Sequence, residues 1–145
     1  MCACDLVIAA ADTRFVFAYG RIGASPDCGG TWLLPRLIGL RKATEFMFLG
    51  DTWDAATAYS LGLVNQVVPF DRLSAETHAL AGRLASGPTL AFGAFKRLAD
   101  EAYRSTLAEQ LEHERSAFQA LTSSGDFRDG IDSFLSKRPP HFEGR

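Results

Sequence analysis

Asp27 is the acidic residue of this sequence whose neighbours best suit proton chemistry. It follows a proline and precedes Gly29 and Gly30 in GASPDCGGTWLLPRLIGL, residues 23–40, and a nearly unbroken apolar run comes next. A dry, apolar pocket raises the pKa of a carboxyl group towards that of a working acid–base. The opposing interpretation makes Asp27 the N-cap of the helix that starts near Gly30, because Asp is among the preferred capping residues. The candidate pocket walls are four apolar residues: Ile22, Pro26, Trp32 and Leu33.

The residues around Asp27 allow both functional and structural interpretations. The Gly29-Gly30 pair can bring backbone amides close to an anion at a helix start, but tight strand-to-helix packing is favoured for so short a motif. Tyr19 either lines the pocket or is a core tyrosine with a satisfied hydroxyl. Cys28 has no histidine nearby in sequence to activate it, so it is interpreted as a small buried residue.

Composition excludes several classes of protein. The chain has 145 residues, 47% of them hydrophobic and 22% charged, and a net charge of −2 with both signs interleaved. It therefore lacks the clustered basic face of a nucleic-acid-binding protein. No apolar stretch reaches the roughly 18 residues of a membrane span. Three cysteines and three histidines, without metal-ligand spacing, predict no metal site and a reducing, cytoplasmic compartment.

The hydrophobic pattern changes from strands to helices along the chain. Continuous apolar or aromatic runs predict strands over residues 5–11, 14–19 and 63–68. Helical spacing predicts a helix from Gly30 to Ile38 with a break or a kink at Pro35, and a helix over 55–61 capped by Asp54. Further helices are predicted over 41–49, 72–86, 88–103, 105–122 and 126–137, with Leu90, Phe92, Phe95 and Leu98 facing inward.

This order of elements predicts part of an α/β domain. Two or three strands do not make a self-sufficient sheet, because isolated strand pairs are marginal in water. The chain is therefore expected to be the back half of a larger α/β domain. Residues 1–70 are assigned to its core and residues 71–145 to a helical region.

The motifs resemble those of a known family. CDLVIAAADTRF, IGASPDCGGTWLLPRLIG, FLGDTWDAATAYSLGLVNQVVP and FLSKRPPHF follow one another as they do in the enoyl-CoA hydratase/isomerase (crotonase) superfamily. SPDCGGTWLLPRLIG is most similar to the phenylacetate-pathway type of enoyl-CoA isomerase. The resemblance implies a spiral of ββα units, here incomplete, followed by helices that build trimers, often paired into hexamers. It also implies acyl-CoA thioester substrates and two backbone amides that stabilise an enolate-like anion.

The resemblance also implies roles for individual residues. Asp27 matches an aspartate that moves a proton along the acyl chain in some family isomerases, and that is a nucleophile in a 4-chlorobenzoyl-CoA dehalogenase. Tyr19 falls where hydratases carry their second glutamate, whereas the first glutamate and the first oxyanion amide lie upstream of what corresponds to Met1. Phe134 and Lys137 match a region that reaches over a neighbouring subunit's CoA. An ordinary packing phenylalanine and a solvated lysine are the alternatives.

The expected function is therefore isomerisation of an enoyl-CoA, with Asp27 as proton shuttle and Tyr19, Ile22, Pro26, Trp32, Phe134 and Lys137 as substrate contacts. The only coenzyme expected is the CoA of the thioester itself, and the expected assembly is a homotrimer or hexamer. The alternatives are an enoyl-CoA hydratase and a truncated, non-catalytic oligomerisation module. Without its first oxyanion amide, the chain alone is expected to be weakly active or inactive.

Overall fold

Four short strands form two separate pairs in the first part of the chain. A computed structural model describes residues 1–145, which divide into two units, Met1–His78 and Ala79–Arg145. In the first unit, β1 (Ile8–Ala10) pairs in parallel with β4 (Gln66–Val68). β2 (Arg14–Val16) pairs antiparallel with β3 (Thr52–Asp54).

These strands are shorter than predicted. Each has three residues, and the segment expected to continue β2 turns instead into a 3₁₀ helix over Ala18–Ile22. β3 was not predicted, because only Trp53 of its three residues is buried and a single apolar residue gives no period.

Three helices complete the first unit: α1 (Gly30–Ile38), α2 (Leu40–Leu49) and α3 (Ala55–Ser60). The predicted cap of α3 is confirmed, since Oδ1 of Asp54 accepts a hydrogen bond from the amide of Thr57 at 2.8 Å. A break at Pro35 is wrong as a prediction, because α1 continues through this residue to Ile38. Proline removes one helical hydrogen bond here, while Leu34 beside it is only 3% exposed and anchors the helix to the core.

The core of the first unit lies between α1, α2, α3 and the strands. It is built around the aromatic side chains of Phe46 and Trp53, whose ring centroids are 3.8 Å apart in a stacked arrangement. Alanines at the contacts allow these elements to approach closely. The core residues are Ala9, Leu34, Ala43, Phe46, Trp53, Ala55, Ala58, Leu63 and Val64.

The second unit is helical. α4 (Leu73–Ala85) begins in the first unit and ends in the second, and α5 (Thr89–Ala102), α6 (Leu107–Leu121) and α7 (Gly125–Ser136) follow. The cap of α6 is Thr106, which forms a capping box with Glu109, so the helix begins at Leu107 rather than at the predicted residue 105. The inward orientation predicted for Leu90, Phe92 and Phe95 is wrong, since these residues are 36%, 39% and 70% exposed.

Two carboxylates of α7 hold the last residues of the chain. The buried Asp126 accepts hydrogen bonds from the amides of Glu143 and Gly144 at 2.7 and 3.1 Å. Asp129 accepts from the Arg138 guanidinium and from the amide of His141, both at 2.6 Å. These two bonds, the Arg138 bond first, lower the pKa of Asp129 to about 2. No helix of the structure has the length and apolar character required to cross a bilayer.

Candidate functional site

Asp27 lies in a tight turn immediately before α1. The amide of Gly30 donates to the carbonyl of Asp27 at 2.9 Å, and both residues between them have positive φ, 49° for Cys28 and 76° for Gly29. This is the pattern of a type I′ turn, which glycine adopts freely but a cysteine does only under strain. The chain thus accepts a strained residue next to the candidate catalytic carboxylate.

The carboxylate of Asp27 is not used to cap α1. The N-cap of that helix is Gly29, and no side chain caps it. Instead, Oδ1 of Asp27 accepts a hydrogen bond from the hydroxyl of Tyr19, eight residues earlier in the chain. The capping interpretation is therefore wrong, because the side chain points to Tyr19 rather than to the free amides of the helix.

The environment of Asp27 differs from the dry pocket that the sequence predicted. Its side chain is exposed, and its pKa is lowered, first by the hydrogen bond from Tyr19 and then by one from the thiol of Cys28. The same contacts raise the pKa of the Tyr19 hydroxyl and of the Cys28 thiol. Desolvation is outweighed by two donors, so the carboxylate is ionised at neutral pH while both donors keep their protons.

A row of four aromatic rings connects Tyr19 with the core. The ring of Tyr19 packs edge-on against Phe17, with centroids 5.3 Å apart, and Phe17 stacks on Phe46 at 5.9 Å. Phe46 in turn stacks on the buried Trp53. We call Tyr19, Phe17, Phe46 and Trp53 the aromatic row. Its inner end is fixed by the core, so its outer end holds the hydroxyl of Tyr19 at the carboxylate of Asp27.

Gly30 is required by the close approach of this row. A Cβ at position 30 would lie 3.2 Å from Cζ of Phe17 and 3.6 Å from Cβ of Pro26. The favoured interpretation of the glycine pair as a packing feature is therefore confirmed for Gly30.

An apolar cavity of about 200 Å³ lies between α1 and α2. Pro26, next to Asp27 in the chain, forms part of its wall, and Asp27 itself does not. The other wall residues include Phe17, Gly30, Leu34, Ala43 and Met47. The carboxylate thus sits one residue away from a hollow of apolar character rather than inside it.

The other predicted contact residues are not gathered in this cavity. Ile22 is 80% exposed at the end of the 3₁₀ helix, and Trp32 is 41% exposed. The guanidinium of Arg36 lies 3.9 Å above the ring of Trp32. Of the expected pocket walls, only Pro26 lines the hollow.

Phe134 and Lys137 lie at the end of α7 in the second unit. Phe134 is 81% exposed, and Lys137 has a φ of 54°, the left-handed conformation that usually requires glycine at a helix end. Their exposure is consistent with either a ligand contact or an ordinary surface position.

Sequence reasoning missed one participant, Cys28. It was interpreted as buried, whereas its thiol is exposed and contributes to the lowered pKa of the neighbouring Asp27 carboxyl group. The positive φ of Cys28 was not predictable, because a cysteine, unlike a glycine, gives no indication of a left-handed backbone. No group of three or more His, Cys, Asp or Glu side chains is arranged to hold a metal ion.

Comparison with known proteins gives one family for the whole chain. Residues 1–145 match the family profile described as enoyl-CoA hydratase/isomerase. The chain is 40% identical over 141 residues to 1,2-epoxyphenylacetyl-CoA isomerase of Escherichia coli. The aligned residues cover 97% of this chain and 54% of that protein. It is 34% identical over 142 residues to crotonyl-CoA hydratase of Syntrophomonas wolfei, with coverages of 98% and 54%.

Solved structures agree with these matches. A crystal structure of enoyl-CoA hydratase subunit I from Geobacillus kaustophilus is 39% identical and superposes with a TM-score of 0.93, over 99% of this chain and 56% of that chain. The chain thus spans about half the length of the curated relatives it matches.

Proposed function

The chain belongs to the enoyl-CoA hydratase/isomerase (crotonase) family, and on that premise we propose that it serves double-bond isomerisation of an enoyl-CoA thioester, with Asp27 as proton shuttle. The observation that carries the proposal is the side chain of Asp27. It is an ionised carboxylate that is not used as a helix cap and that accepts a hydrogen bond from the Tyr19 hydroxyl beside an apolar hollow. A base must be ionised before it can remove a proton, and this arrangement provides that state.

The proposed reaction moves one proton and one double bond. Asp27 removes a proton from C2 of a 3-enoyl chain, and the electron pair passes into the thioester to give a dienolate. Backbone amides of the family's oxyanion hole stabilise the negative charge on the thioester oxygen. The protonated Asp27 then returns the proton to C4, so the double bond shifts from C3–C4 to C2–C3 and the carboxylate is regenerated.

The substrate contacts belong to the same proposal. The hollow at Pro26 would take the apolar acyl chain, and Ile22 and Trp32, which do not line the hollow, would contact the substrate from exposed positions. Phe134 and Lys137 would contact the CoA bound by a neighbouring subunit, the lysine through its charge. We further propose an assembly of three or six chains, for which the exposed apolar side chains Leu107, Leu111 and Phe118 of α6 provide association surface.

Hydration of a 2-enoyl-CoA is the second candidate, because one of the relatives is a crotonyl-CoA hydratase. Two carboxylates are expected to activate the water in that reaction, and here the partner of Asp27 is the phenol of Tyr19. A phenol whose pKa is raised stays protonated at neutral pH and cannot accept a proton from water, so this residue favours isomerisation. A non-catalytic oligomerisation module is the third candidate.

The deciding experiment replaces Asp27 with asparagine, which keeps the size and the acceptor for Tyr19 but removes basicity. Conversion of 3-enoyl-CoA to 2-enoyl-CoA is followed by chromatography on a form of the protein that turns over, alone or completed by a separate polypeptide. The rate is expected to fall about 10²–10⁴-fold. Asp51→Asn, at an exposed carboxyl in the same unit, is the matched control and should leave turnover unchanged.

Three results would argue against the proposal. Full turnover in Asp27→Asn removes the shuttle role. Water addition to 2-enoyl-CoA without any isomerisation selects the hydratase. Association in sedimentation without CoA binding in a titration selects the oligomerisation module.

A further inference from the structure

The hydroxyl of Tyr19 is the feature of this site that the proposed function leaves unexplained. The sequence allowed Tyr19 to be either part of an apolar wall, for which a phenylalanine would serve equally well, or a core tyrosine with a satisfied hydroxyl. In the structure its hydroxyl donates to Oδ1 of Asp27, and its ring does not line the apolar hollow.

Both partners of this hydrogen bond are held by separate parts of the fold. The aromatic row fixes Tyr19 from the core side, with Phe46 and Trp53 only 4% and 8% exposed. The strained turn fixes Asp27, through the 2.9 Å hydrogen bond from Gly30 to its carbonyl. Because each partner is placed independently, their meeting is a preorganised geometry rather than a chance surface contact.

From this geometry we propose that Tyr19 is a positioning residue, whose hydroxyl fixes the orientation of the Asp27 carboxylate during proton transfer. The inference rests on the proposed function, because it takes Asp27 as the acid–base of the reaction. Under this proposal, Tyr19 contributes to turnover through its hydroxyl oxygen and not through its ring.

The hydrogen bond also has a directional effect on the two proton transfers. A donor that stabilises the carboxylate makes the protonated Asp27 a stronger acid, which speeds return of the proton to C4. A short-lived carboxylic acid has little time to exchange its proton with solvent. Loss of the donor should therefore slow the second transfer and increase exchange.

Few other charged groups bear on this carboxylate. The pKa of Asp27 is shifted by Tyr19 and Cys28. Arg21, on the same 3₁₀ helix as Tyr19, donates to the carbonyl of Gly50 at 2.7 Å, and Arg36 on α1 donates to the carbonyl of Trp32 at 2.8 Å. The hydroxyl of Tyr19 is thus the group whose removal should alter Asp27 most.

The test compares Tyr19→Phe with Tyr59→Phe in the whole protein. Each change removes one oxygen, and Tyr59 is a 57% exposed residue of α3 in the same unit. The Asp27 carboxyl carbon is titrated by NMR on ¹³C-aspartate-labelled protein and assigned by its loss in Asp27→Asn. Tyr19→Phe is expected to raise the titration midpoint of Asp27, and Tyr59→Phe to leave it unchanged.

Activity supplies the second readout. In Tyr19→Phe, kcat for 3-enoyl-CoA should fall roughly three- to tenfold with little change in KM, the effect of one lost hydrogen bond. Isomerisation in D₂O should incorporate more deuterium at C4 than in the unaltered protein. A merely structural tyrosine would change neither the deuterium content nor the midpoint.

The outcomes separate this inference from the proposed function. An unchanged midpoint, or unchanged kcat and deuterium content, overturns the role of Tyr19 even if Asp27→Asn is inactive. Full turnover of Asp27→Asn overturns the proposed function itself, and with it any catalytic role of Tyr19, whatever the titration shows.

Discussion

Replacing Phe46 with leucine tests whether the aromatic row supports the fold as well as the site. Leucine keeps most of the buried apolar area but loses the two ring contacts of Phe46, at 3.8 Å with Trp53 and 5.9 Å with Phe17. Each aromatic pair contributes about 0.5–1.5 kcal/mol beyond area burial, so the free energy of unfolding should fall by about 1–3 kcal/mol. Urea unfolding with linear extrapolation measures this difference.

A matched control lies two residues further along the same helix. Phe48 is 80% exposed, whereas Phe46 is 4% exposed, so Phe48→Leu should change the free energy of unfolding by no more than about 0.5 kcal/mol. Equal destabilisation by the two changes would refute the role of the row in stability. Phe46→Leu should also slow turnover of 3-enoyl-CoA, because the outer end of the row carries the Tyr19 hydroxyl.

Three further changes test other contacts. Gly30→Ala should slow turnover, because the added Cβ would lie 3.2 Å from the ring of Phe17 and displace the aromatic row. Gly82→Ala is the control, since Gly82 lies in α4 with open space around it. This change should raise the free energy of unfolding by about 0.5–1 kcal/mol. Thr106→Ala should cost about 1 kcal/mol in urea unfolding, and Thr106→Ser should cost less, because serine keeps the cap. Asp129, with its pKa lowered from 3.8 to about 2, stabilises the terminal segment above pH 4 and loses this effect as the pH falls through 2. The His141 amide should therefore lose protection from hydrogen exchange as the pH falls from 4 to 2. Asp129→Asn should abolish this pH dependence. Equal protection at pH 4 and at pH 2 would contradict the role of Asp129.

Local signals made part of the fold predictable. The cap at Asp54 was correct because capping depends on a side chain and an amide three residues apart. β1 was recognisable because its apolar run is continuous, although only three residues pair. Pro35 misled the prediction, since the packing of Leu34 against the core outweighs the lost hydrogen bond.

The site was less predictable than the fold. Asp27 could be singled out from its neighbours, but its partner could not, because the eight residues to Tyr19 follow no helical or strand period. The contact depends on the 3₁₀ helix at Ala18–Ile22 and on the positive φ of Cys28, both of which are set by packing. The lowered pKa of Asp27, opposite to the predicted direction, follows from that contact.

The parallel pairing of β1 with β4 has a consequence for biosynthesis. Asn65, just before β4, receives a hydrogen bond from the amide of Val7, 58 residues earlier. At about 5–20 residues per second, a ribosome needs about 3–12 s to add those residues. During that interval the apolar segment of β1 has been made but its partner has not. A nascent chain that has emerged only this far offers an unpaired backbone edge, which is the kind of surface that chaperones and aggregating neighbours bind.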